Sequence, residues 1–260
     1  MGIAFFTCSV CGSTYSSNEV QYTCPHDGAN LDVHCDFETA ETKPNMESIL
    51  LSSEQSIWRY APLLPVLDPG FAHTPLHQVG MTPVYQPENL RQQLGLQQLW
   101  IKDESRNPSA SFKDRASAVV VARALQTKEE VIIAASTGNA GAAAACMAAS
   151  VGMHAIILAP RTAPPAKIAQ LLVFGAQVIL VDGNYDQAFD LSITASQTFG
   201  WYNRNTGYNP LTAEGKKTAA FEIWEQVLRK LAPSAPPLNI YIPVGDCNII
   251  SGVHRGFQDL

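Results

Sequence analysis

Val131-Ile132-Ile133-Ala134-Ala135-Ser136-Thr137-Gly138-Asn139-Ala140-Gly141 is the stretch that decides the fold. Five apolar residues without a polar interruption suit a strand buried on both faces rather than a half-exposed one. Ser136, Thr137, Gly138 and Asn139 are turn and cap formers, and an alanine-rich helix is expected after them over 140–151. Ala155-Ile156-Ile157-Leu158-Ala159 and Gln177-Val178-Ile179-Leu180-Val181 repeat the strand pattern, with a helix expected between them over 165–174. Repeated β-α-β units of this kind predict an α/β fold, a parallel sheet with helices on both faces. Ligands of such sheets bind beyond the carboxyl ends of the strands. The 136–139 turn lies at such an end. So does Gly245, which opens the exit turn of a later expected strand, Ile240-Tyr241-Ile242-Pro243-Val244.

Upstream, Leu99-Trp100-Ile101-Lys102 reads as a short strand and 114–125 as a helix. Ser111-Phe112-Lys113-Asp114-Arg115-Ala116 leads into that helix and sets one lysine between a small polar residue and a charged pair. A lysine that forms a Schiff base with a carbonyl cofactor must offer a neutral amine. Neutralising a free lysine at pH 7 costs about 4.6 kcal/mol, given its ordinary pKa of about 10.4. Only a buried, preorganised site supplies that, so Lys113 is either such a residue or one more exposed cation at a helix start.

The first 35 residues stand apart. Cys8-Ser9-Val10-Cys11-Gly12 and Cys24-Pro25-His26-Asp27-Gly28 are two knuckle-like turns with the spacing of a zinc ribbon. Tetrahedral zinc takes four ligands, and Asp27 stands where a ribbon carries its fourth cysteine; His26, His34 and Cys35 are the alternative fourth ligands, none at the expected spacing. A metal-free, ribbon-like hairpin is the expectation, with bound zinc as the competing reading, and no metal ligand is assigned. Residues 36–72 read as a connecting segment with a short helix near 49–60; Pro62, Pro65 and Pro69 forbid a continuous helix there.

In 260 residues, 46% are hydrophobic and 15% charged, the net charge is −6, and no basic run occurs. A nucleic-acid surface is therefore not expected. No stretch approaches the ~20 apolar residues of a membrane span. Six cysteines in a chain of this size read as reduced thiols rather than a disulfide framework, which points to the cytoplasm.

Four ordered segments carry a family resemblance: Asn107-Pro108-Ser109-Ala110-Ser111-Phe112-Lys113-Asp114-Arg115, then 136–141, then Tyr208-Asn209-Pro210-Leu211-Thr212-Ala213-Glu214-Gly215-Lys216-Lys217-Thr218, then 243–252. In these the chain resembles the pyridoxal-phosphate enzymes of the tryptophan-synthase-β type, and within them the threonine synthases. The resemblance implies two open, mainly parallel-sheet lobes over 73–260, the smaller at about 115–190, with pyridoxal 5′-phosphate between them. It implies that Lys113 carries the cofactor and acts as base, and that Asn139 bonds the cofactor's 3′-oxygen. Ser136, Thr137 and Gly138 would hold the substrate carboxylate, and Gly245, Asp246, Cys247, Asn248 and Ile249 the cofactor phosphate. The family often has glycine at the position of Cys247, where a positive φ would cost a residue bearing a Cβ about 1–2 kcal/mol.

Many threonine synthases carry, at the position of Thr212, an arginine that holds the substrate phosphate; Lys216, or an arginine elsewhere, is the expected substitute. Glu214, Lys216 and Lys217 are placed in a polar turn before a helix over 218–231. The implied reaction converts O-phospho-L-homoserine and water to L-threonine and phosphate, with a homodimer among the implied partners. A threonine dehydratase or a cysteate-synthase-like β-replacement enzyme stays open on the same scaffold. Because family members run past Gly256-Phe257-Gln258-Asp259-Leu260, a C-terminally truncated large lobe, and hence a non-catalytic fragment, stays open too.

Overall fold

The computed structural model describes residues 2–36, 44–232 and 234–260. The expected polar start of the connecting segment, 37–43, lies outside them. Three strands form an antiparallel sheet at the N-terminus in the order β2-β1-β3: β1 (Ile3–Cys8), β2 (Thr14–Tyr15) and β3 (Leu31–Cys35). Phe6, Cys8, Leu31, Val33 and Cys35 are its buried residues.

The connecting segment holds a short helix α1 (Met46–Leu51) and a tight 3-10 turn (Ile57–Leu63), not one helix over 49–60. Ser56 breaks the run, taking an extended backbone and accepting the Trp58 N–H on its hydroxyl at 3.2 Å. A two-stranded antiparallel pair follows, β4 (Val84–Tyr85) with β5 (Ile101–Lys102), and α2 (Glu88–Gln93) lies between them.

The expected α/β unit forms with nearly the expected bounds. After α3 (Lys113–Gln126) come β6 (Val131–Ala135), α4 (Asn139–Ala149), β7 (His154–Pro160), α5 (Pro165–Val173), β8 (Gln177–Val181), α6 (Tyr185–Phe199) and β9 (Tyr202–Asn203). The four strands are parallel in the order β8-β7-β6-β9. Alternation along β6 divides the core. Ile132 and Ala134 pack with residues of α3, α4 and α5, while Ile133 and Ala135 pack with Ala188 and Phe189 of α6. The sheet thus has helices on both faces, and it reaches past residue 190 to β9. Progress from β6 to β8 runs one way across the sheet and β9 returns on the other side of β6. A crevice at the carboxyl ends of β6 and β9 is the consequence.

Two expectations fail downstream. The run from Glu214 to Thr218 is not a turn before a helix; it lies inside α7 (Leu211–Gln226), and Glu214, Lys216 and Lys217 are buried. Pro210, at φ −62°, starts the helix seven residues early, since its fixed φ is already helical. Ion pairs inside the fold then replace the solvent those charges were expected to meet. Lys217 Nζ lies 2.6 Å from Glu214 and 2.7 Å from Asp259 of α8 (Asn248–Asp259). Second, residues 240–244 form no strand, and Tyr241 is 93% exposed. An apolar run becomes a strand only where a neighbour pairs its backbone groups, and none does so among the described residues. For the same reason no second parallel sheet forms among them.

α7 packs closely against α3 through Gly215. A Cβ there would stand 2.1 Å from the Arg115 carbonyl oxygen and 2.8 Å from Ala116 Cα. Both obstacles are backbone, so no side-chain rotation relieves them. Gly215→Ala should destabilise the chain by at least about 1–3 kcal/mol, the range of overpacked cores, read as a lowered urea midpoint with unchanged slope.

Candidate active site

Lys113 opens α3, and its neighbours are anchors. The Asp114 carboxylate accepts the Ser109 N–H at 2.6 Å and the Ser109 hydroxyl. Arg115, fully buried, donates to Glu104, Glu222, Thr82 and Thr218. The loop between is tight, with Ala110 at φ +59°. Two fixed side chains therefore hold the helix start, while the Lys113 amine makes no hydrogen bond among the described residues. Burial lowers its pKa, against the pull of Asp246, and Arg204 lowers it further. A neutral amine is what carbonyl chemistry requires.

Arg204 is the residue that sequence reading missed. It follows β9 directly, at the crevice, and is 1% exposed. Asparagines fix the chain there. Asn205 Oδ1 accepts the Ala135 N–H at 2.8 Å, Asn203 Oδ1 accepts the Asn205 N–H at 2.8 Å, and Asn209 Nδ2 donates to the Asn203 carbonyl at 2.7 Å. The guanidinium donates through Nε to Ser117 at 3.0 Å and through Nη1 to Thr206 at 2.9 Å. Its buried Nη2 has no hydrogen-bond partner among the described residues, an arrangement that a buried donor tolerates only at a cost. Burial pushes the Arg204 pKa down to about 10, against Asp114, Tyr185 and Asp246. Three asparagines in Asn203-Arg204-Asn205-Thr206-Gly207-Tyr208-Asn209 were the available signal.

Lys216, on α7, joins the same cluster. Its amine donates to Asn248 Oδ1 at the start of α8. Burial pushes its pKa down to about 6, with Arg204 and Lys113 adding to the shift and Asp246 opposing it. The sign follows from linkage: a lysine lowered on folding leaves stability full above its ordinary range near 10.5 and erodes it as the pH falls toward about 6. An anion among these cations would reverse that penalty by restoring the charge.

The loop 245–247 leads into α8, and the Asn248 N–H donates to Asp246 Oδ1 at 3.2 Å. Cys247 takes φ +61°, the costly conformation considered for it. Gly245 and Gly138 each have open space where a Cβ would stand. Across the crevice, Ser136 accepts the Gly138 N–H at 3.2 Å, and Asn139, exposed, begins α4. Lys113, Arg204, Lys216, Asp246 and Asn248 are thus tied together by charge and hydrogen bonding. Ser136, Thr137, Gly138 and Asn139 sit at the same sheet edge, with no bond from their side chains to that cluster. Thr212 is fully buried, its hydroxyl donating to the Asn209 carbonyl at 2.8 Å, so it faces no ligand.

Pyridoxal phosphate fits these residues: a lowered amine for its aldehyde, a buried guanidinium with its Nη2 donor open and a repelled lysine for anionic groups, and a helix start for phosphate.

Residues 76–260 match the family model described as Pyridoxal-phosphate dependent enzyme. The chain belongs to that family. A threonine synthase of Methanocaldococcus jannaschii is 37% identical over 253 residues, covering 97% of this chain and 60% of that protein. One from a Bacillus species is 40% identical over 181 residues, covering 68% of this chain and 49% of that protein. The chain therefore spans some 49–60% of the length of these two relatives.

Among solved structures, Escherichia coli diaminopropionate ammonia lyase in complex with an aminoacrylate-PLP azomethine reaction intermediate aligns with a TM-score of 0.63 at 24% identity. The alignment covers 71% of this chain and 54% of that one. A cysteine synthase from Entamoeba histolytica aligns with a TM-score of 0.60 at 22% identity, over 72% of this chain and 57% of that one. These two show the fold. No helix among the described residues is long and apolar enough to cross a membrane.

Proposed function

We propose that the chain carries much of the active site of a threonine synthase, which converts O-phospho-L-homoserine and water to L-threonine and phosphate. The observation that carries this reading is the convergence of Lys113, Arg204 and Lys216 on Asp246 at the crevice between β6 and β9. Arg204 is a buried cation and the protonated forms of Lys113 and Lys216 are disfavoured beside it, so anions stabilise the cluster, and a phosphorylated substrate on a phosphorylated cofactor brings two. The names of the curated relatives point the same way.

Bound pyridoxal phosphate supplies an electron sink for carbanions at the substrate. Lys113 would hold the cofactor and move protons at the substrate's Cα and Cβ. Asn139 would bond the cofactor's 3′-oxygen, and the N–H groups at the start of α8, with Gly245 to Ile249, would take its phosphate. Ser136, Thr137 and Gly138 hold the substrate carboxylate at the start of α4. Arg204 and Lys216 hold the substrate's phosphate in place of the family's arginine, and so orient its Cγ–O bond for departure. Residues 1–35 form a ribbon-like module, 36–72 a connector and 73–260 the catalytic core, whose large lobe includes α7 and α8. A cytoplasmic homodimer acting on a small phosphorylated amino acid, without nucleic acid, completes the reading.

The test is substrate preference in a protein extended to the full length of these relatives. O-phospho-L-homoserine should release phosphate and be preferred to threonine or O-phosphoserine by at least about tenfold in kcat/KM, about 1.4 kcal/mol. Lys216→Ala should weaken the phosphorylated substrate more than an unphosphorylated one. Faster formation of 2-oxobutyrate from threonine would make the protein a dehydratase instead.

A further inference from the structure

The two turns of the N-terminal sheet are near copies of one another. Cys8 N–H bonds the Ser13 carbonyl at 2.8 Å and Gly12 N–H the Cys8 carbonyl at 3.1 Å. In the second turn Cys24 N–H bonds the Ala29 carbonyl at 2.9 Å and Gly28 N–H the Cys24 carbonyl at 2.8 Å. Each turn ends on a glycine at φ +72°, a conformation that suits glycine. Each presents its first and fourth side chains to the other: Cys8 and Cys11 from one, Cys24 and Asp27 from the second. Their four ligand atoms lie within 4.8 Å of one another.

Two of the six edges have the lengths of a coordination tetrahedron. Cys11 Sγ and Cys24 Sγ are 3.7 Å apart, and Cys8 Sγ stands 3.4 and 3.5 Å from the two Asp27 oxygens. Zinc bonds of about 2.3 Å to sulfur and about 2.0 Å to oxygen set tetrahedral edges of about 3.8 Å between sulfurs and about 3.5 Å between sulfur and oxygen. No disulfide competes, since Cys8, Cys11 and Cys24 are all thiols.

The surroundings also suit thiolates. Val10 and Cys11 N–H groups both point at Cys8 Sγ at 3.4 Å, and Tyr15 Oη lies 3.1 Å from Cys24 Sγ. The Ala29 N–H donates to Asp27 Oδ1 at 3.0 Å and orients the carboxylate, as outer-shell partners of metal ligands do.

We infer that Cys8, Cys11, Cys24 and Asp27 form a structural zinc site in which the aspartate replaces a cysteine as the fourth ligand. Three thiolates and a carboxylate in tetrahedral array select zinc over magnesium or calcium. Four protein ligands leave no open position, which makes the site structural rather than catalytic. Asp27, whose presence favoured a metal-free hairpin in the sequence, supplies the missing ligand.

The whole chain, purified under reductant, should contain about one zinc per molecule and yield it to a strong chelator. Cobalt(II) replacing it should show thiolate charge-transfer absorption and the visible bands of a tetrahedral ion. Asp27→Ala should weaken affinity at least about tenfold, and Asp27→Cys should restore it and shift the cobalt bands toward a four-thiolate spectrum. Cys11→Ser should release the metal, while Cys146→Ala should not. Folded, reduced wild-type chain that holds no zinc, and whose cobalt spectrum lacks thiolate bands, overturns the inference. That measurement needs no variant, so a Cys11→Ser chain that fails to fold leaves the decision intact.

Discussion

Lys113→Ala should abolish covalent attachment of pyridoxal phosphate. Wild-type chain mixed with the cofactor should develop the visible absorption of a lysine Schiff base, which borohydride bleaches and fixes. Peptide mapping should then find the label on Lys113. The Ala variant should lose band and label together while keeping its far-ultraviolet dichroism, because the helix start is held by Asp114 and Arg115 and not by the lysine. Lys216 is the informative competitor, with its pKa pushed to about 6 in the same cluster. Label on Lys216, or on Lys102, in the wild-type chain would overturn the assignment of Lys113.

Glu222→Ala should be among the most destabilising single changes in the chain. The carboxylate is fully buried and receives Arg115 Nη2 at 2.8 Å, with Lys102 Nζ 2.7 Å away. Burial raises its pKa, but Arg115 and Lys102 together hold it down at about 2. It also accepts the Met81 N–H at 2.9 Å, tying the loop before β4 to α7. Removing it leaves the buried guanidinium with Glu104 as its one remaining carboxylate and takes the carboxylate from the half-buried Lys102 ammonium, a loss of about 3–5 kcal/mol on the scale of broken buried pairs. Urea unfolding should show a midpoint lowered by that free energy divided by the slope. Because the native pKa is depressed, Glu222 contributes its stability above the ordinary carboxylate range and loses it as the pH falls toward 2. The gap between variant and wild type should therefore narrow in acid. An equal gap at pH 3 and pH 7 would show that packing, not charge, carries the effect.

The parallel sheet was legible because each of β6, β7 and β8 is a continuous apolar run, and such runs have few other destinations. The 136–139 turn was legible because it follows one of them. Arg204 was not, for β9 is two residues long and Tyr202-Asn203 has no apolar pattern. What holds it is hydrogen bonding by asparagines to residues distant in sequence, and a linear reading does not contain those pairings.

The charges of α7 misled for a related reason. Glu214, Lys217 and Glu222 are polar in sequence, yet each meets an opposite charge inside the fold. Residues 240–244 erred in the opposite sense, since a run can look like a strand and still lack a neighbour to pair with. The ribbon's spacing was plain from its cysteines. That Asp27 reaches the same point as the three thiols depended on the second turn repeating the first.

The shortness of β9 has a consequence for how the charge of the crevice is specified. Tyr202 lies opposite Ile132 and Asn203 opposite Ile133, and the Arg204 N–H bonds the Ile133 carbonyl at 2.8 Å. Side chains alternate between faces along a strand, so a slip of one residue would exchange the two sides. Tyr202 would then leave the core, and the guanidinium would leave the crevice. Where the cation sits is thus a matter of counting: the number of residues from the end of α6 to β9 sets its position.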